Sequence, residues 1–229
     1  MSWRTSGLVV MARRMGRAMG LNRLIAACFR RGGYEVGFDQ LLTGSIRPGD
    51  CVWDVGANVG RYTAQFAARA GEGGSVYAFE PSPVNFARLS ETCAGAANVH
   101  LLRCALGEAD GQMRFEQGGD DLGATSRIVE QGGQVVAIRA GDCLIADGSA
   151  AKPNVLKIDV EGFECEVLDG MHGVLADPRL RTVGVEVHFG RLEERGLRDG
   201  PRRIERLLRD ASFRVDWPDG SHIVAMRGT

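Results

Sequence analysis

Short apolar runs alternate along this chain with segments whose apolar positions recur at spacings of three and four. Cys51 to Val55 reads as a buried strand, and Val59 to Arg69 as a helix with Tyr62, Phe66 and Arg69 spaced along it. Ser75 to Phe79 predicts a second strand, Pro83 to Cys93 a helix and Val99 to Leu106 a third strand. Repeated strand–helix–strand units require right-handed crossovers and a parallel sheet. The rhythm changes at the Asp110-Gly111 turn. Gln112 to Glu116 and Val135 to Arg139 read as short strands flanking a glycine-rich, polar stretch at 117–134. This predicts a small antiparallel insertion over about 110–140, too small for a core of its own. Alternation then resumes with strand Asn154 to Val160, helix Phe163 to Leu175, strand Thr182 to His188 and helix Pro201 to Ala211. Two last strands, Phe213 to Asp216 and His222 to Met226, are joined by Pro218-Asp219-Gly220 and predict an antiparallel closing hairpin.

Upstream of the first strand, Leu21, Leu24, Ile25 and Phe29 give 1–31 a helical, lid-like pattern that Gly32-Gly33 breaks. A short helix is expected from Gly37 to Leu42, and Pro48-Gly49-Asp50 is a turn. The pattern predicts one doubly wound α/β domain over 49–229, preceded by a helical cap over 1–48.

Composition agrees with one soluble domain: 229 residues, 44% hydrophobic and 25% charged. A net charge of −1 argues against whole-domain attraction to nucleic acid or acidic lipid. The charge is uneven, however. Arg4, Arg13, Arg14, Arg17, Arg23, Arg30 and Arg31 all precede the first acidic residue, Glu35. They could touch phosphates, acidic lipid or an acidic substrate, but the preferred reading is the solvated face of the cap, whose apolar face, with Trp3, could pair with a second copy. No apolar run is long enough for a membrane span, and Gly7 to Ala12 is too short for a secretory core. The six cysteines show neither C-x-x-C pairs nor zinc spacing, so reduced thiols and a cytoplasmic location are expected.

Four motifs carry chemistry. In Val52-Trp53-Asp54-Val55-Gly56-Ala57-Asn58-Val59-Gly60 a strand runs into a glycine turn and a helix. Such a turn lets backbone approach a ligand, and the helix start offers free N–H groups. A nicotinamide loop needs G-x-G-x-x-G to seat a pyrophosphate. Here Asn58 replaces the middle glycine, and the Asp54 carboxylate would repel a pyrophosphate while suiting the ammonium of a methionine. Phe79-Glu80-Pro81 closes the second strand, where an acid suits ribose hydroxyls of any adenosine ligand. Lys157-Ile158-Asp159-Val160-Glu161-Gly162 closes a later strand, with Lys157, Asp159 and Glu161 alternating onto one face unless Glu161 already lies in the turn. Gly184-Val185-Glu186-Val187-His188 closes the next. Asp159, Glu186 and His188 could therefore converge, either as ligands of a divalent metal with open positions or with His188 as a metal-free base.

This ordered set resembles the FkbM family of methyltransferases from about Gly49 to Met226. The match includes Ala105-Leu106-Gly107 leading to Asp110-Gly111, and Glu164, Leu168 and Gly170 after the third motif. Many relatives carry alanine where Phe163 stands. The resemblance implies a class I methyltransferase (Rossmann-like) seven-stranded sheet and transfer of the S-adenosyl-L-methionine methyl group to a hydroxyl of a sugar, glycoside, polyketide or other secondary metabolite. It implies that Asp54, Gly56, Asn58 and Gly60 hold the methionine part, Glu80 with Pro81 the ribose, and that Ala105 lies near the adenine. It places Asp159 between cofactor and acceptor.

A neutral alcohol needs a base or a metal to become a nucleophile. The candidates are His188 or Asp159, with Lys157 and Glu186 beside them and Mg²⁺ as an aid held through Asp159, Glu186 and His188. Three rival functions remain at this point: a nucleic-acid or protein methyltransferase, a nicotinamide oxidoreductase and a non-catalytic cofactor-binding protein. Nucleic-acid methylation is disfavoured because Asp159-Val160-Glu161-Gly162 carries no Pro-Pro-aromatic loop, and its carboxylates repel phosphate.

Overall fold

The computed structural model describes residues 36–116, 127–129 and 133–228. The expected cap helix over 1–31, with its arginines, and most of the polar stretch 117–134 lie outside the described residues.

Seven strands form one sheet: β1 (Cys51–Val55), β2 (Ser75–Phe79), β3 (Val99–Leu102), β8 (Val155–Ile158), β9 (Thr182–Glu186), β10 (Arg214–Asp216) and β11 (His222–Met226). Their order is β10-β11-β9-β8-β1-β2-β3. β1 lies parallel to both β2 and β8, while β11 runs antiparallel to β9 and to β10. The sheet is therefore the predicted class I methyltransferase sheet with its antiparallel closing hairpin. The chain winds from β1 toward β3 and then back past β1 to β8. This makes the C-terminal ends of β1 and β8 a topological switch point, where such sheets leave a ligand crevice.

Both faces are covered. On one, α1 (Val36–Gly44) and α2 (Arg61–Ala70) bring Phe38, Leu42, Phe66, Ala67 and Ala70 onto Val52, Val76, Val155 and Val224. In α2 the buried positions Thr63, Phe66, Ala67 and Ala70 recur at helical spacing. Removing Phe66 from water contributes about 2 kcal/mol. The sequence placed α1 in the cap, but Phe38 and Leu42 are fully buried. Gly184 on β9 makes room for them, since a Cβ there would meet both side chains at 3.0 Å. The other face of β1, β8 and β9 (Trp53, Val55, Leu156, Ile158, Val183, Val185) joins Leu168, Met171, Ile204 and Leu208 in the larger core.

The third strand ends earlier than its hydrophobicity predicts. β3 stops at Leu102, the chain turns as Cys104 N–H bonds the Leu102 carbonyl, and β4 (Ala105–Leu106) joins a second sheet. That sheet has the order β4-β7-β5-β6, with β5 (Gly111–Glu116), β6 (Arg127–Val129) and β7 (Gln134–Arg139). It is mixed rather than wholly antiparallel, because β4 pairs parallel with β7.

The helix expected from Phe163 to Leu175 is two helices, α5 (Glu164–Asp169) and α6 (His172–Ala176). Between them Gly170 lies so close to Gly107 that a Cβ would come within 2.0 Å of its carbonyl oxygen. The helix is broken where the small sheet presses on it. Helices α3 (Pro83–Thr92), α4 (Gly141–Ala146), α7 (Phe189–Glu194) and α8 (Gly200–Asp210) complete the fold. The sequence pattern gave no sign of α4 or α7, which have only six residues each and too few turns for a periodic signal. Among the described residues no helix is long and apolar enough to cross a membrane.

Candidate active site

The glycine loop expected to hold the cofactor leaves β1 at Val55. Gly56 and Ala57 both donate their N–H to the Phe79 carbonyl at 3.0 Å, and Asn58 N–H bonds Glu80 Oε2 at 2.9 Å. Asn58 has φ 51°, the left-handed region that asparagine tolerates better than most side chains, so it takes the conformation of the glycine it replaces. Gly56 has φ 77°, and its missing side chain serves the protein itself: a Cβ would fall 1.9 Å from the Asp159 carbonyl oxygen. At Gly60, φ 89°, a Cβ would meet Leu89 at 2.8 Å. These glycines let the loop nest against the end of β8 and against α3.

Glu80 clamps this loop. Its other oxygen, Oε1, accepts the Ser82 N–H at 2.8 Å, and Ser82 Oγ in turn caps α3 by accepting from Asn85 N–H. Burial pushes the Glu80 carboxyl up to about 7, against the lowering effect of the Ser82 and Asn58 N–H groups. Pro81 stands between Glu80 and Ser82, and Ala105 opens β4 just past the end of β3. Asn58 Oδ1 is shielded from solvent and has no hydrogen-bond partner among the described residues, so the loop offers an unsatisfied acceptor suited to a donor-rich ligand such as an ammonium.

Asp54 and Lys157 face each other in the β1–β8 register, which explains their pairing. Lys157 Nζ lies 3.1 Å from Asp54 Oδ1, 3.1 Å from the Gly56 carbonyl and 3.5 Å from Asp159 Oδ2, with the Tyr62 ring 5.1 Å away. Thr63 donates to Asp54 Oδ2 at 2.6 Å. Both Asp54 and Lys157 are buried. Burial opposes the lysine charge, but the Asp54 and Asp159 carboxylates outweigh it and hold its pKa above the ordinary value.

Across the switch point, Asp159, Glu186 and His188 converge as the motif spacing predicts. Each can offer one ligand atom, and these atoms lie within 4.8 Å of one another. His188 Nε2 lies 3.6 Å from Asp159, 3.9 Å from Glu186 and 3.5 Å from Glu161. Glu161 sits in a left-handed turn, φ 51°, rather than continuing the strand. Asp159, Glu161 and Glu186 are each about one-third exposed, so their carboxylates line an open mouth.

Sequence reading gave no role to two supports of this cluster. Glu164, fully buried at the start of α5, accepts the Gly162 N–H at 2.9 Å and holds His188 Nδ1 at 2.8 Å with the same oxygen. Burial opposes charge on His188, but Glu164 first, then Asp159 and Glu161, push its pKa up to about 9. His222, opposite Glu186 in the β9–β11 register, points Nε2 at Glu186 Oε2 across 3.6 Å, while Asp219 holds its Nδ1 at 2.8 Å. Burial opposes this charge as well, yet Asp219 and Glu186 push His222 up to about 9. Glu164 follows the recognisable third motif, so an acid two residues past Gly162 was the available signal. His222 had none, because only the strand register brings it to Glu186.

Among known proteins, residues 54–215 match the methyltransferase FkbM domain model. The chain is 33% identical over 178 residues to the hexuronic acid methyltransferase AglP of Haloferax volcanii, spanning 77% of this chain and 69% of that one. It is 31% identical over 196 residues to the 31-O-demethyl-FK506 methyltransferase FkbM of Streptomyces tacrolimicus, spanning 70% of each. In fold it is similar to Aeropyrum pernix fibrillarin in complex with S-adenosyl-L-methionine. There the TM-score is 0.50 at 13% identity, covering 81% of this chain and 70% of that one. Sheet order and sequence kinship agree: the chain belongs to the FkbM methyltransferase family and is an S-adenosylmethionine-dependent methyltransferase of class I fold.

Proposed function

We propose that this enzyme methylates a hydroxyl oxygen of a small molecule such as a sugar or polyketide. The observation that carries this reading is the convergence of Asp159, Glu186 and His188 beside the cofactor loop. The names of the relatives, one for a hexuronic acid and one for 31-O-demethyl-FK506, support a small-molecule acceptor, and the second supports oxygen as the target. Three half-open carboxylates at the mouth also disfavour a phosphate-rich nucleic acid.

S-adenosylmethionine supplies an electrophilic methyl group on a sulfonium, and the sulfur keeps the C–S electron pair as the acceptor oxygen forms its bond to carbon. The protein's task is to seat both partners in line and take the hydroxyl proton. Asn58 and the loop backbone receive the methionine end, and Glu80 with Pro81 the ribose. Ala105 lies toward the adenine. Lys157 positions, tying Asp54 and the Gly56 carbonyl to Asp159. At neutral pH His188, with its pKa near 9, carries its proton, so Asp159 is the better proton acceptor. Burial, ahead of the opposing effect of Lys157, raises the Asp159 pKa and makes it a stronger base than an ordinary carboxylate.

Two carboxylates and an imidazole within 4.8 Å also fit a divalent cation, Mg²⁺ among them, which would polarise the acceptor oxygen in place of the carboxylate base. Comparing metabolites of cells with and without the enzyme by mass spectrometry should reveal one species heavier by a methylene. A metabolome unchanged by the enzyme refutes the small-molecule reading. Activity that survives EDTA undiminished removes the cation.

Glu80 gives the cofactor site a pH dependence. Ribose hydroxyls donate to the ionised carboxylate, so binding lowers its pKa from about 7 and releases a proton. Affinity for S-adenosylmethionine is therefore full above pH 7 and falls by about tenfold per unit below it. Calorimetric titrations between pH 6 and 8 would detect this slope. Glu80→Gln should bind more weakly and without the slope. An equal slope in that variant assigns the proton elsewhere.

A further inference from the structure

Resting on the cation reading of this same site, we infer that Asp159, Glu186 and His188 select a first-row transition dication over Mg²⁺. Mg²⁺ favours an all-oxygen, water-rich shell, whereas an imidazole nitrogen favours Mn²⁺, Co²⁺ or Zn²⁺. The decisive feature is how His188 is held. Its Nδ1 is fixed at 2.8 Å by Glu164, which is fully buried and anchored at the same oxygen by the Gly162 N–H. That leaves Nε2, directed toward Asp159 and Glu186, as the ring atom that would exchange its proton for a cation. A carboxylate behind a histidine fixes the ring's tautomer and strengthens the other nitrogen as a ligand.

Glu186 is held in a comparable way. The buried His222 faces its Oε2 at 3.6 Å and is itself anchored by Asp219, while Oε1 lies on the His188 side. His222 falls outside the group of three whose ligand atoms lie mutually close, so it positions Glu186 rather than completing the set. The cluster is thus two carboxylates and one oriented nitrogen, with a supporting side chain behind two of the three.

The test uses the full chain after EDTA treatment and dialysis, titrated with Mn²⁺ while free Mn²⁺ is followed by electron paramagnetic resonance. One Mn²⁺ should bind per chain, yield to Co²⁺ or Zn²⁺, and resist about a hundredfold excess of Mg²⁺. His188→Gln should weaken Mn²⁺ binding by at least about tenfold and narrow the gap to Mg²⁺. Glu164→Gln should weaken it by about 10–100-fold. S-adenosylmethionine binding by each variant shows that it is folded. Should Glu164→Gln misfold, His188→Gln alone decides. Displacement of Mn²⁺ by equimolar Mg²⁺, or an unchanged affinity in His188→Gln, overturns the inference. A wild-type chain that binds no Mn²⁺ overturns it too and removes the cation, while the metabolite comparison tests hydroxyl methylation separately.

Discussion

Asp159→Asn is expected to slow methyl transfer by about 10²–10⁴-fold, the range for losing a group that takes a proton in the transition state. The substitution keeps the side-chain shape but removes the charge that faces both Lys157 Nζ at 3.5 Å and His188 Nε2 at 3.6 Å. It removes the proposed base and equally a ligand of any cation, so the loss is expected with or without metal. The backbone contribution of residue 159 is untouched, because its N–H still bonds the Val55 carbonyl. The measurement is incorporation of labelled methyl from S-adenosylmethionine into a small-molecule extract, alongside cofactor binding by calorimetry. A variant that turns over at the native rate takes Asp159 out of the chemistry. One that loses only cofactor affinity places its side chain with the cofactor instead.

Gly56→Ala is expected to be the most damaging single-methyl change in the loop after β1. A non-glycine residue at φ 77° costs about 1–2 kcal/mol in backbone strain alone. The added Cβ would then overlap the Asp159 carbonyl oxygen at 1.9 Å, and that atom is main chain, which cannot rotate away. Relief requires the loop and the end of β8 to part, and this moves Lys157 away from the Gly56 carbonyl it holds at 3.1 Å. Chemical denaturation should show a loss of at least about 2 kcal/mol, and calorimetry a loss of S-adenosylmethionine binding. Native stability and native affinity together would mean that the loop and β8 are not locked as described.

Much of the site was legible because its residues close strands that are neighbours in the sheet. Asp54, Glu80, Asp159 and Glu186 each stand at or just past the C-terminal end of a strand in the parallel part of the sheet. Strand periodicity and right-handed crossovers are enough to bring such ends to one edge. Elements whose sequence signal is weak were not legible in this way. The break after Leu102 is hidden inside an apolar run, and the broken helix at Gly170 follows from contact with Gly107, a neighbour remote in sequence.

The sequence by itself determined the alternation of strands and helices, the closing hairpin, the glycine loop after the first strand and the identity of the three converging side chains. Each follows from local periodicity, turn chemistry or position on a strand. Tertiary structure alone decided what those residues do to one another. It set the Asp159 carbonyl against Gly56 and made Glu80 the clamp of the loop. It paired Asp54 with Lys157, and it brought Glu164 behind His188 and His222 behind Glu186. The physical reason is that charge, burial and hydrogen bonding are properties of neighbourhoods. Asp54 and Lys157 are more than a hundred residues apart in sequence and 3.1 Å apart in space.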